Sequence, residues 1–135
     1  MAAALVAVPV ASAMATIKIT KIQYDPPGDD SGTNASLNRE FVIIKNTGNS
    51  RVTLTEWTLR DSAGHVFTFG TFPLRGSGSV TIHTGSGNDD RNDLFQDSDE
   101  YIWNNDGDTA TLRNDEGNRV DRCRYPGGGD GSTAC

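Results

Sequence analysis

The sequence predicts an all-β domain built as a two-sheet sandwich. Three observations carry this reading. Apolar runs are short, turn clusters recur between them, and no long period-3.6 stretch follows residues 1–15. Gly supplies 15 of the 135 residues, which suits frequent tight turns. The length is that of one ordinary domain, and a chain of ~150 residues buries ~70% of its unfolded surface, enough for a single core.

Residues 1–15, MAAALVAVPVASAMA, are uncharged and Ala-rich and end in Ala13-Met14-Ala15. An apolar run closed by an A-x-A site predicts a signal peptide; the absence of a preceding Lys or Arg suggests that it is truncated or its start misassigned, and the alternative is a frayed apolar N-terminus. It is too short to span a bilayer, which needs ~20 apolar residues. The mature chain is expected to begin near Thr16 and to be exported, with one domain over residues 16–125 and a Gly-rich tail over 126–135.

Residues 16–25 alternate, with Ile17 and Ile19 on one parity and Ile22 and Tyr24 on the other. A bulge or a switch between sheets near Thr20-Lys21 reconciles them. Asp25-Pro26-Pro27-Gly28 ends the strand, because Pro cannot continue a ladder. The consecutive apolar residues 41–44 predict a central strand covered on both faces. Val52 and Leu54 are followed by Trp57 and Leu59 on the opposite parity, which places a bend at Thr55-Glu56. Residues 61–64 read as a hairpin turn, with Phe67 and Phe69 on one face of the return strand. Val80 and Ile82 face the core in the next strand, residues 85–100 show no pattern, and Tyr101, Ile102 and Trp103 restart a strand. The polar turn at residues 104–107 leads into a strand with Ala110 and Leu112 on one face. A last strand covers residues 119–125. About eight short strands, regular turns and no helix suit a sandwich of immunoglobulin type.

Cys123 and Cys135 flank the Gly-rich tail. A flexible loop lets them form a disulfide that persists outside the cell and pins the C-terminus, worth ~3 kcal/mol in the loop-entropy account. The other reading, a redox or metal pair, lacks a CxxC spacing and a neighbouring His.

The segments SLNREFVIIKNTG, LTEWTLRD, GSVTIHTGSG and WNNDGDTATLRND occur in this order. Together they resemble the lamin tail domain, in the secreted form found in bacteria, over nearly all of residues 16–125. The resemblance implies an immunoglobulin-like sandwich acting as a non-catalytic interaction module. In lamins that module sits on an intermediate filament. This chain has no heptad rod, so filament assembly does not carry over. Bacterial versions also occur beside nucleases and other secreted or surface enzymes. The resemblance makes the shared positions structural. Asn38 and Asn46 bind turn backbone, Trp57 fills the core, and Asp61 with Gly64 shapes a hairpin. Asn105, Asp106, Gly107 and Asp108 shape the turn that precedes the Ala110–Leu112 face.

The formal net charge of −6 argues against nucleic-acid binding, which needs clustered Lys and Arg. It serves solubility, a cation or a basic partner. The chain has no P-loop, HExxH, Rossmann glycine pattern or G-x-S-x-G elbow. His65 is expected exposed at a strand start, and His83 ends an apolar strand where it meets a loop. Acids cluster in residues 25–30 and again in 88–106. Calcium takes 6–8 oxygen ligands, so Asp25, Asp29, Asp30, Asp89, Asp90 and Asp93 form a candidate calcium site. The alternative is a solvated loop. Tyr101, Trp103 and Tyr125 are candidates for an exposed sugar platform, with core packing the alternative for Trp103. Trp103 borders the acidic loop and is expected to be less buried than Trp57.

The reading that follows is a secreted module that requires no cofactor and binds a protein or cell-surface partner. A calcium-dependent module for polysaccharide or another envelope polymer is the alternative, with an accessory domain of a secreted hydrolase behind it.

Overall fold

The computed structural model describes residues 16–135. The signal-peptide reading concerns residues 1–15, outside the described residues. A five-stranded and a four-stranded sheet face each other, with a two-stranded ribbon at one end. The first sheet has the order β11-β1-β2-β7-β8. Its members are β1 (Ile17–Gln23), β2 (Phe41–Asn46), β7 (Ser79–His83), β8 (Asp93–Phe95) and β11 (Ser132–Ala134). The second has the order β10-β9-β4-β5, made of β4 (Thr58–Arg60), β5 (Val66–Thr68), β9 (Asp108–Arg113) and β10 (Arg119–Tyr125). The ribbon pairs β3 (Val52–Thr53) with β6 (Pro73–Leu74). All pairs are antiparallel except β7 with β8. The fold is an immunoglobulin-like β-sandwich.

The two parity changes in the sequence are both resolved by backbone irregularities. In β1 the register against β2 shifts between Ile19 and Lys21. The extra residue lets Ile17, Ile19, Ile22 and Tyr24 all face inward, each at most 4% exposed. Between Leu54 and Trp57 the backbone turns at Glu56, whose φ is +65°. Both flanking side chains are buried as a result. Val42, Ile44, Val80, Ile82 and Leu94 complete the inner face of the first sheet. Leu59, Ala110, Leu112 and Tyr125 meet them from the second.

Several details differ from expectation. β2 is central, but Phe41 and Ile43 are only half-buried, because a two-layer sandwich leaves its outer face open. Residues 85–100 hold β8, which adds parallel to β7 and carries a single buried apolar residue, Leu94. One apolar position gives no period to read. Residues 101–103 form no strand. A four-residue helix, α1 (Asn34–Leu37), stands in a chain expected to have none. Thr33 caps it by accepting from the Ser36 N–H at 3.2 Å. The tail does more than hang from its disulfide: Ser132–Ala134 pair with β1 as the edge strand β11. Gly131 makes the approach possible, because a Cβ there would collide with the Asp25 carbonyl.

Candidate functional site

The acids are mostly engaged in holding loops. Asp89 accepts the Phe95 N–H at 3.0 Å, and Asp90 accepts the N–H groups of Asn92 and Asp93 at 2.8 Å each. These donors, Asn92 first, hold the Asp90 carboxyl below its ordinary range. Asp93 receives His83 Nε2 at 2.8 Å. Asp25 and Asp29 act through their backbone: Asp25 N–H donates to Gly131, and the Asp29 carbonyl accepts from Ser36 and Arg39. Asp30 lines a hollow of about 230 Å³ with Tyr24, Tyr101, Trp103, Asn104 and Asn105. Asp89 and Asp90 line a different hollow. Among the described residues no group of three or more His, Cys, Asp or Glu is placed to hold a metal ion. The six aspartates proposed for calcium are therefore not gathered into one cage.

Both histidines are oriented by acceptors on each ring nitrogen. His65 Nδ1 lies 2.6 Å from Asp61 Oδ2, and its Nε2 lies 3.4 Å from Glu100. The bond to buried Asp61 raises the His65 pKa, and the exposed Glu100 adds to it. His65 is thus tied to its hairpin and only partly exposed. His83 Nδ1 faces the Asn38 carbonyl at 2.8 Å, and its ring stacks on Phe95 at 4.9 Å. Neither histidine faces a hydroxyl or thiol nucleophile in these contacts.

Among the acids, Glu40 stands out electrostatically, and sequence reading gave it no role. It is 1% exposed. Its Oε1 accepts the Thr84 hydroxyl at 2.7 Å and the Ile102 N–H at 2.8 Å; Oε2 makes no hydrogen bond of good geometry, and the Trp103 backbone N–H also favours the charged form. Burial pushes the carboxyl up to about 7 against these donors. A buried acid at the start of an apolar run, Glu40 before residues 41–44, was the signal that could have marked it. The sugar-platform candidates are interior: Trp103 and Tyr125 are each 2% exposed, and Tyr125 stacks on Tyr24 at 4.1 Å. Only Tyr101 is half-buried, with its hydroxyl on Ser36 at 2.6 Å.

Two larger hollows remain. One, of about 710 Å³, is polar and lies along β9 and β10, with Arg122, Arg124, Asp106 and Asp108 among its lining. The other, of about 400 Å³, runs from Phe67 and Thr68 of β5 past Phe72 to Leu94, with Asp89, Asp90 and Arg91 at its wall. A family model described as Lamin Tail Domain matches residues 10–127. The chain belongs to that family. No curated protein matches it.

The residues that the sequence reading expected to be structural lie on turns or in the core. Asn46 donates to the Ser50 and Leu74 carbonyls and accepts the Gly48 N–H. Asn38 donates to the Ser86 carbonyl at 2.9 Å. Asp61 accepts the N–H groups of Gly64 and His65, which closes the β4–β5 hairpin. Trp57 is buried beside Phe69. Asp108 accepts from the Asn104 and Thr109 N–H groups and, across the sheet end, from Ser62. Asn105 accepts the Gly128 N–H, and Gly107 holds a φ of +121°. Asp106 is exposed at the turn. Cys123 and Cys135 form the expected disulfide, with Cα atoms 5.7 Å apart, joining the edge strand β10 to the end of β11. No helix among the described residues is long and apolar enough to cross a membrane.

Proposed function

We propose that this lamin tail domain is a non-enzymatic, secreted interaction module for a protein or cell-surface partner. The observation that carries the reading is how its polar side chains are used. The histidines, Asp61, Asp89, Asp90, Asp93 and Asp108 all bind the protein's own backbone or one another. General acid–base work needs a group poised toward substrate space. Here the buried acid, Glu40, faces the interior, and the surface acids Asp89 and Asp90 cap backbone. What remains for function is shape and edge, which is binding chemistry. The disulfide supports an oxidising compartment.

The test uses the labelled, purified protein on intact cells of its source. Saturable binding that is lost when the cells are pretreated with protease is the expected result. Binding that survives protease, needs calcium and is competed by envelope polysaccharide would replace the protein partner by a polymer. Turnover of ester, glycoside or phosphodiester substrates that persists through purification to homogeneity would overturn the module reading.

A further inference from the structure

Each sheet of a sandwich ends in strands whose outward backbone groups need partners or protection. At the β8 edge both outward N–H groups are taken. Asp93 N–H goes to Asp90 and Phe95 N–H to Asp89, while the Asp93 carbonyl accepts the Asp90 N–H. At the β11 edge Asp130 accepts the Ser132 N–H at 3.2 Å. The β10 edge carries Arg119, Asp121, Arg122 and Arg124, and charged side chains of this kind discourage strand pairing. β5 has neither the caps of β8 and β11 nor the charges of β10. Its residues, Val66, Phe67 and Thr68, are uncharged, and Val66 is the one exposed large hydrophobic among the described residues, 51% accessible.

The register fixes which backbone groups of β5 are open. Asp61 N–H donates to His65 and Phe69 N–H donates to Trp57, so residues 65, 67 and 69 point at β4. Antiparallel alternation then turns the N–H and C=O of Val66 and Thr68 away from the sheet. Beside them opens the apolar hollow lined by Phe67, Phe72 and Leu94, with Asp89, Asp90 and Arg91 at its wall. Asp89 and Asp90 each use Oδ1 as a cap. Glu100 stands at the other end of the strand, beside His65.

We propose that β5 is a docking edge for an extended peptide segment of another protein. The segment adds as a strand to Val66 and Thr68. It seats an apolar side chain in the Phe67–Phe72–Leu94 hollow and places Lys or Arg toward Asp89 and Asp90. This deepens the module reading and rests on it. A basic partner is favoured over a second copy by charge, because two chains of net charge −6 repel one another. The main-chain bonds give affinity without sequence, and the hollow with its acids gives the preference.

The test uses three capped hexapeptides: alternating lysine and valine, the same peptide with glutamate for lysine, and the lysine–valine peptide with N-methylated alternate amides. They are titrated into the disulfide-intact protein and followed by amide NMR. The lysine–valine peptide should shift the amides of Val66, Thr68 and Leu94 and slow hydrogen exchange at Val66 and Thr68. N-methylation removes the peptide's share of the ladder and should weaken binding by ~10-fold, as two lost hydrogen bonds of modest net strength imply. The glutamate peptide should bind more weakly still. Thr68→Pro and Val66→Lys, checked for an unchanged melting transition, should each lose the response. Shifts confined to the Arg122–Arg124 face, or affinity indifferent to N-methylation, would overturn the edge and leave the module reading intact. Concentration-dependent dimers that protect Val66 and Thr68 in the absence of peptide would overturn it in favour of a second copy. The module reading itself is decided separately, by the cell-binding and turnover experiments.

Discussion

Glu40 shows how one residue sets a pH dependence for the whole domain. Desolvation raises its pKa from 4.5 to about 7, and the nearby charge of Asp30 adds to the shift. A carboxyl raised on folding makes the native state bind more protons than the unfolded state between those values. Stability therefore falls as pH rises from about 4.5 to about 7 and levels off above, by at most on the order of 3 kcal/mol. Glu40→Gln keeps an acceptor for Thr84 and Ile102 and puts an uncharged amide where Oε2 makes no hydrogen bond of good geometry. The variant should match the parent near pH 5 and exceed it at pH 8 in urea midpoint. An identical pH profile for the two would show that Glu40 is not the group titrating. His65 acts in the same sense, since a raised imidazole contributes fully below its unfolded value and loses that contribution as pH climbs through its folded one. Comparing variant with parent removes its share. The two tryptophans give a second test at this scale. Trp57 and Trp103 are 4% and 2% exposed, so the sequence-based ranking of Trp57 over Trp103 does not survive. Each change to Ala should cost ~3–5 kcal/mol, and chemical denaturation of both variants checks it. A Trp103→Ala midpoint close to the parent's would mean that its pocket collapses without loss.

At the scale of the element, parity was the most readable signal. Ile17, Ile19, Ile22 and Tyr24 cannot share a face without an extra residue, so the β1 bulge was written in their spacing. The same logic found the bend at Glu56. Elements held by side-chain caps instead of an apolar pattern were not readable. β8 depends on Asp89 and Asp90, and its acids looked like ligands because capping and metal binding use the same oxygens. Trp103 was misplaced for a related reason: residues 101–103 are anchored by Glu40 and by burial, without any strand pairing. β11 is held by a backbone ladder to β1 and by the disulfide, and a run of Gly hides both. Its attachment can be measured. With 12 residues of separation, reducing the Cys123–Cys135 bond should lower stability by ~3 kcal/mol or less. The β1–β2–β7 core does not depend on it, so a cooperative transition should persist in reductant. Loss of that transition would mean that β11 closes the first sheet. Hydrogen exchange should localise the loss of protection to residues 131–135 and their partners Lys21, Ile22 and Gln23.

At the scale of the molecule, the sandwich keeps the two acidic segments in separate roles. One reaches the hollow of Tyr24, Tyr101 and Trp103 through Asp30, and the other runs along the β8 edge. A calcium ion needs 6–8 oxygens converging at 2.3–2.6 Å. Asp89 and Asp90 would have to share their carboxylates between cation and backbone, weakening the caps that hold β8. The expected outcome is that melting temperatures in calcium and in magnesium coincide at matched ionic strength. Both should lie slightly above a low-salt chelator control, because any added salt screens a chain of net charge −6. Asp89→Asn with Asp90→Asn should lower the melting temperature equally in all three conditions. The amide keeps one acceptor per site, but a neutral acceptor makes a weaker bond to N–H than a carboxylate does. A rise specific to calcium that disappears in this double variant would reverse the argument. It would show that the β8 edge rearranges to gather ligands, and the capping bonds at Phe95 and Asp93 would then mark the cation-free arrangement of a calcium site.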